Sequence, residues 1–160
     1  MDRMDMELKF TVGGRVAKPV DEVFEAVVNP DYLSRFFTTG GAKGRIEPGA
    51  VVSWDFRDYP GAFPVHVVEV VPNARIVLRW DAPENAAPAD PSGARQTTVV
   101  MTFEPIEPSR TLVRISEHGW SDTPEGLKQS YGNCEGWTGM ICAMKAWLEH
   151  GISLREGLYK

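Results

Sequence analysis

Carboxylates, histidines and thiols are the side chains here that could do chemistry, and one carboxylate stands apart. Glu117 follows Val113 and Ile115 at a spacing of two. In a strand that spacing puts all three on one face. The apolar neighbours make it the inner face, where a carboxylate needs hydrogen-bond partners or a neutral form. His66 is in phase with Val68 and Val70 and reads as an inward-facing partner. Such a pair could orient a ligand or act as acid and base. The plainer alternative puts Glu117 at a strand end, solvated or paired with an arginine.

The other candidates carry less. His118 alternates outward from Glu117 and reads as a surface residue, whereas Trp120 is placed to close a pocket mouth. His150 falls near a helix end, where a cation suits the dipole. The three histidines have no metal-ligand spacing, so neither a metal nor a cofactor is expected. Ser53, Ser116 and Ser130 lie in no nucleophile motif. Gly13-Gly14 and Gly40-Gly41 belong to no phosphate-binding loop; the first reads as a bulge or bend in a strand. Cys134 and Cys142 are two helical turns apart, roughly 12 Å at 1.5 Å per residue, too far for a disulfide. Two reduced, buried thiols and a cytoplasmic compartment are expected.

The elements that position these residues follow from periodicity. Residues 7–17 read as a strand. Pro19, Asp21 and Glu22 start a helix with a stripe of Val20, Val23, Phe24 and Val27, and Asn29-Pro30 stops it. A second short helix covers 31–37. From 40 to 119 strands alternate with turns: 42–47, 50–57, 62–71, 75–81, 94–104 and 110–119. Trp54 and Phe56 share a face, as do Leu78 and Trp80, and Met101 and Phe103. Residues 82–93 exceed a usual hairpin connection and read as a surface loop or a lid. Thr123-Pro124-Glu125 opens a long helix whose stripe is Trp137, Met140, Ile141, Met144, Trp147 and Leu148, ending near Gly151. Its glycines at 126, 132, 136 and 139 each cost about 1 kcal/mol of helix propensity. They lower helicity or let the sheet approach.

The fold class is therefore α+β. A curved antiparallel sheet of about seven strands wraps the long C-terminal helix, and two short helices follow strand 1. The 160 residues suit one domain, with 1–6 flexible. The acidic N-terminus does not read as a signal peptide, and no apolar run reaches membrane-spanning length. A net charge of −5 argues against nucleic acid and anionic membranes as partners.

Several segments, in this order, resemble the START-like (Bet v 1-like, SRPBCC) superfamily, in particular the C-terminal domain of the activator of Hsp90 ATPase. They are Val16 to Phe24, Asn29-Pro30 with Leu33, Pro48-Gly49, Val68 to Pro72 leading to Leu78-Arg79-Trp80, and Gly136-Trp137. The resemblance covers about residues 7–153. It implies a helix-grip fold with a cavity between sheet and C-terminal helix, but no single substrate. The linked N-terminal domain of the Hsp90 activator has no counterpart in the sequence, so a chaperone contact is not the expected role.

The leading expectation is binding of a small hydrophobic or amphipathic ligand: a lipid, a polyketide-like aromatic or an isoprenoid. The expected lining is Trp54, Phe56, His66, Trp80, Met101, Glu117, Trp120, Trp137, Met140, Ile141 and Met144. A cyclase or hydrolase using Glu117 and His66 is the second reading, and a chaperone-related interaction module the third. A homodimer stays open.

Overall fold

A computed structural model describes residues 7–160; the expectation for residues 1–6 lies outside the described residues. The chain runs β1 (Phe10–Val16), α1 (Val20–Val28), α2 (Pro30–Phe36), β2 (Gly41–Lys43), β3 (Val51–Phe56), β4 (Tyr59–Val71), β5 (Arg75–Asp81), β6 (Gln96–Glu107), β7 (Arg110–His118) and α3 (Pro124–His150). The seven strands form one antiparallel sheet in the order β1-β7-β6-β5-β4-β3-β2. Strands β2 to β7 are a meander. The two short helices carry the chain from one sheet edge to the other.

The helix ends follow local chemistry. Asn29 accepts a hydrogen bond from Asp31 N at 3.0 Å, with Pro30 in the first turn of α2. Thr123 Oγ1 accepts from Gly126 N at 3.0 Å and caps α3. Gly151 ends α3 at φ 67°, a left-handed value glycine adopts without strain.

Helix α3 packs on the inner face of the sheet through Trp137, Met140, Ile141, Ala143 and Met144, all buried. The strands answer with Ile76, Leu78, Val99, Met101, Val113 and Ile115, and α1 and α2 add Val23, Phe24, Val27, Leu33 and Phe36. Phe24 meets Phe103 edge-on at 5.3 Å. Burying each such side chain contributes about 1.5–3 kcal/mol.

Several expectations are corrected here. Gly13-Gly14 is not a bulge: β1 pairs with β7 in unbroken register. A Cβ on Gly14 would lie 2.7 Å from Ile141 Cγ2, so glycine is needed where β1 crosses α3. The register of β4 shifts between Val67 and Glu69. Before the shift Val65 and Val67 face inward; after it Val70 does. Counting back from Val70 without that bulge gives His66 and Val68 the wrong face. Cys142 is exposed and Cys134 half-buried; both are free thiols.

Residues 82–93 are tied to the start of α3. Ser121 N donates to Ala86 O at 2.8 Å, Thr123 Oγ1 to Asn85 O at 3.0 Å, and Arg95 Nη1 to Ala87 O at 2.9 Å. Ala86 and Ala87 are buried. Those bonds anchor the loop to its neighbours.

Candidate functional site: an aromatic cavity over a buried carboxylate

Gln129, Gly132, Asn133, Gly136 and Trp137 recur at helical spacing and present one face of α3 to the sheet. Two of the five are glycines, and a Cβ on Gly132 or Gly136 would meet nothing within 4 Å. The helix is stripped of side chains there, and a cavity of about 430 Å³ takes up the room. Phe37, Phe56, Tyr59, Trp80 and Trp137 wall it, with Tyr159 and Arg155 closing one side. Phe37 stacks on Trp137 at 5.4 Å, and Trp80 lies 5.4 Å from Trp137 at a shallow tilt. The polar groups on the lining are the amides of Gln129 and Asn133, Glu135, Arg155 and the hydroxyls of Tyr59 and Tyr159.

Glu117 lies behind this wall with 0% exposure. Its Oε1 accepts from Trp137 Nε1 at 2.9 Å and Asn133 Nδ2 at 3.1 Å. Its Oε2 accepts from Trp80 Nε1 at 2.9 Å, Thr97 Oγ1 at 2.5 Å and the same Asn133 Nδ2 at 3.1 Å. Four side chains from three elements thus converge on one carboxylate, on the inner face where alternation places it. An indole N–H and an amide NH₂ are donors only, so this acceptor meets a matched set. No oxygen is left over to take a proton from a ligand. The carboxylate's effect is to fix both indole rings edge-inward: Trp137, itself buried, is held against the rings of Phe37 and Trp80, and half-buried Trp80 is the indole more open to the cavity.

The segment after α3, residues 151–160, folds back across the cavity's other side. Arg155 is 6% exposed. Its Nη1 and Nη2 donate to Asp58 Oδ2 and Oδ1 at 2.5 and 3.1 Å. Its guanidinium lies 5.2 Å from the Phe56 ring centre and 4.8 Å from that of Tyr159. The Arg155 hydrogen bonds hold the Asp58 carboxyl below the ordinary aspartate range, against desolvation that raises it. Burial pushes the Tyr159 hydroxyl above the usual tyrosine value. Tyr159 Oη donates to Glu135 O at 3.3 Å.

Of the residues expected to line a cavity, Phe56, Trp80 and Trp137 do, and Glu117 braces two of them. Trp54, Met101, Met140, Ile141 and Met144 are packed in the core and do not line it. Trp120 lines a smaller recess of about 250 Å³ with Phe63, Asp81, Pro83 and Thr97; this recess shares Trp80, Gln129 and Asn133 with the main cavity. His66 is opposite Val51 and Arg79 on the outer face of the sheet. The expected Glu117–His66 pair therefore does not form, because the β4 bulge reverses the phase used to predict it. Sequence reasoning missed Asn133, Gly132, Gly136, Arg155 and Tyr159. The helix glycines carried a signal: four in one helix demand a reason. The apolar stripe drew attention away from the polar Asn133, and the terminal segment has no periodicity to read.

A curved antiparallel sheet gripping a C-terminal helix, with an aromatic hollow left between them, defines a helix-grip fold. The sequence matches the model of the Activator of Hsp90 ATPase homolog 1-like protein family over residues 17–149, and the chain belongs to that family. No curated protein matches the sequence. Among solved structures it is similar to SSP2350 from Staphylococcus saprophyticus, at 25% identity and TM-score 0.74, over 92% of this chain and 96% of that one. It is also similar to the Aha1 dimer from Colwellia psychrerythraea, at 18% identity and TM-score 0.71, over 90% and 98%. The di-domain ARO/CYC BexL from the BE-7585A biosynthetic pathway matches at 17% identity and TM-score 0.72, over 89% of this chain and 46% of BexL.

Proposed function

We propose that the chain binds a small hydrophobic or amphipathic molecule, with a flat aromatic or isoprenoid body, in the cavity between the sheet and α3. The observation that carries this reading is the pair of glycines on the cavity face of α3. Two residues that weaken a helix by about 1 kcal/mol each stand where any side chain would fill the hollow. The volume suits a small ligand. The rings of Phe56, Tyr59 and half-buried Trp80 on the lining suit an aromatic one, and the Gln129 amide suits a polar group at its edge. BexL, an ARO/CYC protein, has the same fold; at its identity that likeness is one of fold alone.

An acid–base enzyme is the weaker reading. Glu117 is saturated by donors, and His66 is on the other face of the sheet. Native mass spectrometry of gently purified protein, with thermal shifts against apolar aromatic compounds, tests the binding reading. Gly136→Leu is the control. Saturable binding by the natural protein that is lost in G136L is expected. Equal shifts in both proteins would place the ligand elsewhere and end the proposal.

A further inference from the structure

We propose that residues 151–160 form a strap that gates the cavity, latched by the buried Arg155–Asp58 pair. The inference rests on the cavity being a binding site.

The first observation is topological. A second hollow, of about 440 Å³, lies outside the cavity and is lined by Thr39, Arg57, Asp58, Glu156 and Lys160. Among the described residues, Arg155 alone is common to the linings of the two hollows. The guanidinium stands where the two hollows adjoin, and swinging it out would merge them and widen access to the cavity.

The second observation is how the strap is held. Its backbone bonds, among the described residues, run to the last turn of α3 and within the strap. Gly151 N donates to Trp147 O, Ile152 N to Ala146 O, and Leu158 N to Arg155 O. None joins it to the sheet. Ile152, Leu154 and Leu158 are exposed, so little apolar surface fastens it. The attachments are side-chain contacts: Arg155 to Asp58 and over the Phe56 ring, an exposed Arg57–Glu156 pair at 2.8 Å, Lys160 Nζ over the Tyr59 ring at 4.3 Å, and Tyr159, which packs with Leu158 against Gly139 and donates to Glu135 O at 3.3 Å. A segment with few backbone bonds and little buried area opens locally at low cost. Gly151 at the end of α3 and Gly157 within the strap both have positive φ, turns that glycine makes without strain.

The third is the nature of the latch. A buried ion pair is firm while both charges face each other, and losing one partner leaves the other desolvated and unpaired. Here the orphan has an escape, because an unlatched Arg155 can move into water with the strap. Loss of Asp58 should therefore open the strap and leave the rest of the fold intact.

The experiment uses N-phenyl-1-naphthylamine, a neutral aromatic probe that brightens in apolar surroundings, with stopped-flow detection. Natural protein, Asp58→Asn and Arg155→Met are compared. If strap opening limits entry, the association rate scales with the open fraction, and both variants should bind about tenfold faster or more. Hydrogen exchange should speed up at residues 152–159 in both variants, with β6 and β7 amides unchanged as the check on folding. Saturable binding with rates within about twofold of the natural protein would overturn the gate and leave the binding reading standing. Strap amides as well protected as those of α3 in both variants would also overturn it. No saturable probe binding in any of the three proteins would overturn both.

Discussion

The groove beneath α3 has two halves built on one plan with opposite results. In the C-terminal half, Met140, Ile141 and Met144 share one buried cluster with Met101, Ile115 and Val99, and the space is full. In the N-terminal half the same helix face carries Gly132, Asn133 and Gly136, and the space is open. The full half is apolar throughout. The open half is backed by the one buried carboxylate that gathers four donors. Filling a groove needs only apolar volume, whereas keeping it open needs walls that cannot collapse. Glu117 supplies that rigidity by tying Trp80 on β5 and Trp137 on α3 to β7.

The sharpest way to break the comparison is at Glu117. Glu117→Leu leaves two indole N–H groups, the Asn133 amide and the Thr97 hydroxyl without their shared acceptor. Each stranded buried donor costs about 1–3 kcal/mol; Trp80 Nε1 keeps Thr97 Oγ1 at 3.1 Å as an acceptor, and the Thr97 hydroxyl can turn to another partner. A loss of about 4 kcal/mol or more is expected in urea denaturation. Glu117→Gln keeps one acceptor oxygen but points an NH₂ at donors, and should fall between. If E117L is within about 1 kcal/mol of the natural protein, the carboxylate is not what holds the walls.

The full half should respond through volume instead. Met144→Ala removes a buried side chain from packed surroundings and is expected to cost about 3 kcal/mol. The affinity for an apolar probe should stay the same, because Met144 does not line the cavity. Weakened probe binding without unfolding would show that the two halves are not independent.

Gly136 tests the open half more gently. Gly136→Ala adds a Cβ in free space and removes helix-breaking backbone freedom. It should stabilise the protein by about 1 kcal/mol, measured by the same denaturation. A fall in stability would mean that the space is not free.

Alternation and capping explain why so much of this was legible from the residues. Val113, Ile115 and Glu117 do share the inner face. Thr123 and Gly151 do bound α3, and the two short helices do follow β1. What failed were features without a periodic signal. The β4 bulge is a one-residue event that moves His66 to the outer face while leaving both halves of the strand apolar. Which of the stripe residues fill the groove and which line it depends on what lies opposite, and that is a tertiary fact. Residues 151–160 have neither a 3.6 nor a 2.0 period, so nothing marked Arg155 and Tyr159 as part of the cavity wall.

The smallest expected effect is a response to acid at the strap. Asp58 is held below the ordinary aspartate range chiefly by its hydrogen bonds from Arg155, with the charges of Arg155 and Lys160 adding to them. A carboxyl depressed in the folded protein contributes stability that is complete above its unfolded value and is lost as pH falls through the folded one. Strap and cavity should therefore be indifferent to pH from about 7 to 5 and loosen only below about pH 4. Tyr159, whose hydroxyl burial pushes above the usual tyrosine value, does not ionise in acid. Glu156 and Glu135 also face this end of the groove, and Glu156 is paired with Arg57 at the surface. Carbon-13 NMR of the Asp58 carboxyl, followed with the protection factors of residues 152–159, separates these groups. The two should change together at low pH. Loosening of the strap between about pH 7 and 5, while the Asp58 signal stays constant, would assign the latch to another group.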